Sequence, residues 1–230
     1  MTDREDLLIL AIDTSTDIAG IGLSGRGIQA ELRWDAGRTQ TTALLPAIHD
    51  LLRLNGATIG EVHAIAVASG PGTFTGLRVG LSVAKGLVLA NDAAIVGIPT
   101  LAIAAEPYRS LGIDALAVLP AGRGRVVWQI VRAGDAFGAP SNTTVPELID
   151  VLTEHPDLLV VGELHAPHRA AIVAAHPRVE AEAVSGRRPS VLAALARERL
   201  ARGDVDDAAT LEPLYVHGTP VTVGSAADRT

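Results

Sequence analysis

The chain has 230 residues, 48% of them hydrophobic, only 3% aromatic and none cysteine, with a formal net charge of −7. The hydrophobic share excludes a disordered chain, and the absence of cysteine excludes disulfides, thiolate metal sites and Cys nucleophiles. The acidic balance argues against unaided binding to a phosphate backbone, which needs Lys and Arg gathered on one face.

In chain order, the opening MTDREDLLILAIDTS carries acidic residues where an export signal carries positive ones, and its apolar run is short. Lys85 interrupts the best apolar stretch, so no membrane span is expected and the chain reads as cytoplasmic. Residues 7–12 form a continuous apolar run, the pattern of a buried strand. Residues 18–24 (IAGIGLS) and 28–34 (IQAELRW) read as two further strands around a Gly-Arg-Gly turn, giving an antiparallel meander. Leu44, Leu45, Ile48, Leu51 and Leu52 recur at spacings of three and four, which predicts a helix over 41–54 stopped by Asn55-Gly56. Pro46 places its start near Thr42 or Leu44, because proline is tolerated in a first turn. A strand over 64–68 leads through a glycine loop into a helix over about 75–90. A short strand over 94–97 and a helix from Pro99-Thr100 through Tyr108 complete a mixed α/β layer.

The second half repeats this theme less clearly. Residues 115–119 and 126–131 read as paired strands around Gly122-Arg123-Gly124, residues 145–153 as a helix and 158–161 as a strand. Residues 166–176 form a helix if Pro167 lies in its first turn. Residues 190–202 form a helix with Ser190 as N-cap and Gly203 as stop. The stretch 219–230 is expected to be a disordered tail.

Two motifs carry candidate chemistry. Asp13-Thr14-Ser15-Thr16 follows a buried strand; a carboxylate and three hydroxyls there suit a hydrated Mg²⁺ or a phosphate, or a turn that caps its own backbone. Ser69-Gly70-Pro71-Gly72-Thr73-Phe74-Thr75-Gly76 joins a strand to a helix, where backbone N–H groups attract anions. It is neither a Walker loop nor GxGxxG, and it equally suits a tight connection capped by Thr73 or Thr75. In the helix that follows, Gly76, Gly80 and Ala84 stand four apart. Each interior glycine costs about 1 kcal/mol relative to alanine, so something must approach this backbone closely. With Leu77, Leu81 and Val88 on one further face and Val79, Val83 and Leu87 on another, the helix is apolar too far round to meet one sheet alone, which points to a partner. The scattered histidines, His165 and His168 among them, form no metal site. Arg123 to Arg125 form a solvated hairpin tip.

These residues resemble a known family. ILAIDTSTDIAGIGLS (9–24) and ASGPGTFTGLRVGLSVAKGLVLA (68–90), with LLPAIHDLL (44–52) and EPLYV (212–216), are similar to the TsaB (YeaZ) family of tRNA threonylcarbamoyladenosine biosynthesis. The match is specific over 7–104, patchy over 115–134 and weak beyond until EPLYV. The resemblance implies an α/β, actin-like ATPase (ASKHA, Hsp70/hexokinase-type) fold: two related lobes of mixed sheet flanked by helices. Residues 1–104 would form the first lobe, joined by the helix over 190–203, and 105–189 a smaller, degenerate second lobe.

The same resemblance implies a non-catalytic scaffold. It would pair with a TsaD-like transferase and a TsaE-like ATPase, serve the modification of the adenosine next to the anticodon, and meet tRNA only through the complex. It would use no cofactor, and its partner face is consistent with a homodimer when alone. The expected partner face comprises Leu44, Leu45, Ile48, Leu52, Gly76, Val79, Gly80, Val83, Ala84 and Leu87. A vestigial phosphate loop would be Asp13, Thr14, Ser15, Gly70, Gly72, Thr73 and Thr75. TsaD-type proteins bind metal through HxxxH on the first helix, whereas RTQTTALLPAIHDLL here has His49 alone. Older peptidase labels for the family find no support in these residues. The alternative is an autonomous actin-like ATPase or small-molecule kinase built on Asp13 and the glycine loop.

Overall fold

In a computed structural model, residues 6–132, 135–180 and 186–216 are described; the expected 219–230 tail and His217 lie outside them. Strand β1 (Ile9–Asp13) shows how the first core is built. Its side chains alternate between two faces, and both are covered. Leu8, Leu10 and Ile12 join one hydrophobic cluster, and Ile9 and Ala11 another. β2 (Ile18–Gly25) and β3 (Ile28–Asp35) extend the sheet antiparallel, while β4 (Ala64–Gly70) and β5 (Ala94–Pro99) add parallel strands, in the order β3-β2-β1-β4-β5.

Helix α1 (Gln40–Leu54) packs Leu44, Ile48, Leu51 and Leu52 onto one face of this sheet. Each such side chain contributes about 1.5–3 kcal/mol on full burial. The helix starts before Thr42, behind a 3₁₀ turn over Gly37–Thr39, so Pro46 lies inside it rather than in its first turn. Pro46 and Thr42 are both exposed, and Pro46 has no N–H to donate to the Thr42 carbonyl. Helix α2 (Phe74–Asn91) covers the same face with Leu81, Ala84 and Val88. The opposite face is lined with small residues: Ala11, Ala64, Ala66 and Ala68. Leu192, Ala193 and Ala196 of helix α6 (Pro189–Ala201) lie against it.

The chain divides into two units. One runs through Ile103 and returns over Arg187–Tyr215; the other contains Ala104–Gly186, the boundary falling inside helix α3 (Thr100–Arg109). The second unit has its own four-stranded sheet from β6 (Ala115–Ala121), β7 (Arg125–Arg132), β8 (Asp135–Thr143) and β9 (Leu159–Gly162), in the order β8-β7-β6-β9. Helices α4 (Val145–Glu154) and α5 (Ala166–Ala175) contribute Leu148, Val151, Leu152 and Ile172 to its core. Each unit thus runs strand–strand–strand–helix–strand–helix, with the first strand between the second and fourth.

Candidate functional site

Asp13-Thr14-Ser15-Thr16 leaves the end of β1, and all four residues are at most 4% exposed. Buried polar groups must be paired, and these pair within the chain. Asp13 Oδ1 accepts from the Ser15 amide at 2.9 Å and from the Ser15 hydroxyl at 2.6 Å. The Thr14 hydroxyl donates to the Gly76 carbonyl at 2.7 Å, and Gln40 Nε2 donates to the Thr16 carbonyl at 2.6 Å. The glycine loop meets this turn backbone to backbone, with the Thr73 amide donating to the Ser15 carbonyl at 2.7 Å. Thr73 is also the N-cap of α2, accepting from the Gly76 amide.

The other oxygen of Asp13 is taken by a residue that sequence reasoning missed. Arg187 Nε donates to Asp13 Oδ2 at 2.6 Å, and Arg187 Nη2 donates to Thr16 Oγ1 at 2.9 Å and to the Ile18 carbonyl at 3.3 Å. The two side chains of this ion pair are 2% and 4% exposed. Three neighbouring contacts set the guanidinium in place. Pro189 sits over Gly20 and Gly22, where an added Cβ would lie 2.8 and 2.9 Å from its ring. Arg188 pairs with Glu31 of β3, and Glu31 Oε2 accepts from the Ser190 amide at 3.1 Å. Burial raises the Glu31 pKa, but the hydrogen bonds from Ser190 and Arg188 outweigh it and hold the carboxyl below its usual range. Arg188, not Ser190, is therefore the N-cap residue of α6, and Glu31 supplies the acceptor that Ser190 was expected to provide.

The glycine stripe of α2 faces this same turn. An added Cβ would lie 2.3 Å from the Ser15 carbonyl oxygen at Gly72, 2.0 Å from the Thr14 carbonyl oxygen at Gly76, and 2.4 Å from Thr14 Oγ1 at Gly80. The close neighbour that these glycines require is the chain's own β1 turn, which corrects the expectation of a foreign backbone. Gly76, Gly80 and Ala84 are buried, and Leu44 is fully covered. These four therefore belong to the core and leave the partner-facing set. A Gly80→Arg or Ala84→Arg change would therefore break the fold rather than only the partner face. Gly70 takes a φ of +114° because the Leu214 backbone runs against it, with the Leu214 amide donating to the Ser69 carbonyl at 2.7 Å.

An actin-like fold implies a Mg²⁺-nucleotide at such a strand end. The residues do not fit one: both Asp13 oxygens and the Thr73 amide are engaged by the chain itself, and Gly72 lies against the Ser15 backbone. Thr75 is exposed at the start of α2, outside this clamp.

Of the expected partner face, a narrower part remains open. Leu45 is 51% exposed, and Val79, Val83 and Leu87 are half-buried. Ile48 and Leu52, themselves buried, form the floor of an apolar cleft of ≈ 470 Å³ rimmed by Leu45, His49, Arg53, Ile59 and Leu87. Among the described residues no group of three His, Cys, Asp or Glu side chains is placed to hold a metal ion. His63 accepts from the Leu8 amide, and His176 pairs with the Leu158 carbonyl. Arg125 is not a free hairpin cation: it donates to Asn142.

The repeated strand plan and the glycine loop define an actin-like ATPase fold. A Bacteroides thetaiotaomicron protein of that fold aligns with TM-score 0.50 at 10% identity, covering 84% of this chain and 99% of its own. The family model described as TsaD, tRNA N6-adenosine threonylcarbamoyltransferase, matches residues 34–195. The chain belongs to this family, in its TsaB (YeaZ) branch. It is 37% identical over 102 residues to the tRNA threonylcarbamoyladenosine biosynthesis protein TsaB of Haemophilus influenzae, covering 44% of this chain and 43% of that protein. YeaZ from Pseudomonas aeruginosa aligns with TM-score 0.71 at 25% identity, covering 91% of this chain and 100% of its own. The chain spans about half the length of the curated relatives it matches. Among the described residues no helix is long and apolar enough to cross a membrane.

Proposed function

We propose that the chain is a non-catalytic subunit of the machinery that forms N6-threonylcarbamoyladenosine next to the anticodon of tRNA. In this reading it pairs with a TsaD-like transferase and a TsaE-like ATPase, and meets tRNA only through them. The names of its TsaB relatives support the pathway. One observation carries the non-catalytic part: the carboxylate that would hold a nucleotide's metal is spent on Arg187 and Ser15 inside the fold. The net charge of −7 fits a chain that does not hold RNA alone. The partner face is the open part of α1 and α2: Leu45, Val79, Val83 and Leu87 with the cleft between them. Exposed apolar side chains around an apolar cleft are the anatomy of a docking surface.

Leu45→Arg places a charge on this face at a half-exposed site, so folding should be unchanged. Co-purification with the TsaD-like subunit should fall at least tenfold. Full retention of the partner by the folded variant would refute this use of the face. An autonomous ATPase or kinase would instead show calorimetric binding of ATP with Mg²⁺ to the isolated chain.

A further inference from the structure

We propose that the guanidinium of Arg187 is a built-in substitute for a metal ion: it fills a three-oxygen niche at the end of β1, and a divalent cation takes the same niche once Arg187 is removed. The niche is formed by Asp13 Oδ2, Thr16 Oγ1 and the Ile18 carbonyl oxygen, each engaged by Arg187. A carboxylate, a hydroxyl and a backbone carbonyl are the ligand types that hard divalent cations take. Ser15 holds the second Asp13 oxygen through its amide and hydroxyl, which fixes the carboxylate for either occupant.

A fixed cation is needed here on electrostatic grounds. Asp13 is buried, and an uncompensated buried carboxylate is strongly disfavoured. The cation that compensates it is the Arg187 guanidinium. It arrives with the polypeptide, on the residue that immediately precedes Arg188 and the Pro189 start of α6. The consequence is a permanently closed turn: Thr14 stays against Gly76 and Gly80, and the glycine loop stays joined to Ser15 with no ligand bound. The inference goes beyond the scaffold reading, since it holds whatever partner the chain takes.

The test uses the full chain and Mn²⁺ as probe, read by electron paramagnetic resonance and by the thermal midpoint. Arg187→Ala is expected to bind one Mn²⁺ per chain at least tenfold more tightly than the wild type, with a rise in its midpoint. The double variant Asp13→Asn/Arg187→Ala should lose this binding, and Arg187→Lys, which keeps a cation in place, should not gain it. If Arg187→Ala is unfolded without metal, the titration is read as recovery of helical circular dichroism. Recovery with Mn²⁺ supports the proposal and failure to recover overturns it. A folded Arg187→Ala that binds Mn²⁺ no better than the wild type also overturns it, as does Asp13-dependent Mn²⁺ binding by the wild type.

Discussion

The two units share one strand plan and treat the end of their first strand in opposite ways. After β1 comes Asp13-Thr14-Ser15-Thr16, buried and cross-linked by hydrogen bonds to α1, α2 and Arg187. After the core of β6 comes Leu119-Pro120-Ala121 and an exposed Gly-Arg-Gly tip, with no carboxylate to compensate. The fourth strands end alike, Gly70 and Gly162 both at positive φ, of +114° and +110°. The chain then diverges again. β4 feeds a glycine loop and a helix with Gly76 and Gly80 inside it, whereas β9 feeds Glu163-Leu164-His165 and a helix without glycine. The comparison teaches what the glycines are for. Glycine enters the helix of the unit whose strand-end turn is polar and buried, because that turn reaches the helix backbone. The second unit keeps its polar pairing elsewhere: Trp128 Nε1 donates to Thr143 Oγ1 at 2.9 Å, and the Tyr108 hydroxyl donates to Glu180. Burial and the Glu180 carboxylate raise the pKa of Tyr108 well above its ordinary value.

The sharpest way to break this comparison is to set two glycines of α2 against each other. Gly76→Ala drives a Cβ to 2.0 Å from the Thr14 carbonyl oxygen, and should cost about 3 kcal/mol or more, the upper end of overpacking. Gly86→Ala meets nothing within 4 Å and should stabilise by about 0.5–1 kcal/mol, because alanine is the better helix former. Urea unfolding of both variants checks the pair. Equal signs would mean that the β1 turn does not set the glycine pattern. A smaller effect is expected at Glu31, which holds the start of α6. Its folded pKa is depressed. Its stabilisation is therefore present above the unfolded value near 4.5 and is lost as pH falls through the lower folded value. Glu31→Gln should cost under about 1 kcal/mol at neutral pH, and should flatten the acid limb of the stability–pH curve. An unchanged acid limb would remove Glu31 from the account.

Much of the first unit was legible in the sequence, for a physical reason. Residues 7–12 are a long apolar run, Leu44 to Leu52 keep a helical spacing, and Asn55-Gly56 stops the helix. β8 was not legible. Its DAFGAPSNT carries glycine, proline and asparagine, and it stands as an edge strand whose register with β7 breaks between Trp128 and Ile130. An edge strand tolerates proline where its N–H has no ladder partner. The stripe Gly76-Gly80-Ala84 announced a close neighbour but not which one, since spacing along a helix reports distance and says nothing of identity. Arg187 gave no signal near Asp13, because 174 positions separate them. Of the two arginines before Pro189, the fold brings Arg187 into the core and leaves Arg188 exposed.

Amide hydrogen exchange at Thr73 and Ser15 tests the closed turn most directly, measured on the wild type with and without ATP and Mg²⁺. The Thr73 amide bonds to the Ser15 carbonyl and the Ser15 amide to Asp13, so both should exchange as slowly as the amides of the parallel pair β1–β4, with no change on adding nucleotide. Rapid exchange at both, slowed by ATP and Mg²⁺, would mean that the loop is an open phosphate site, and would contradict the account.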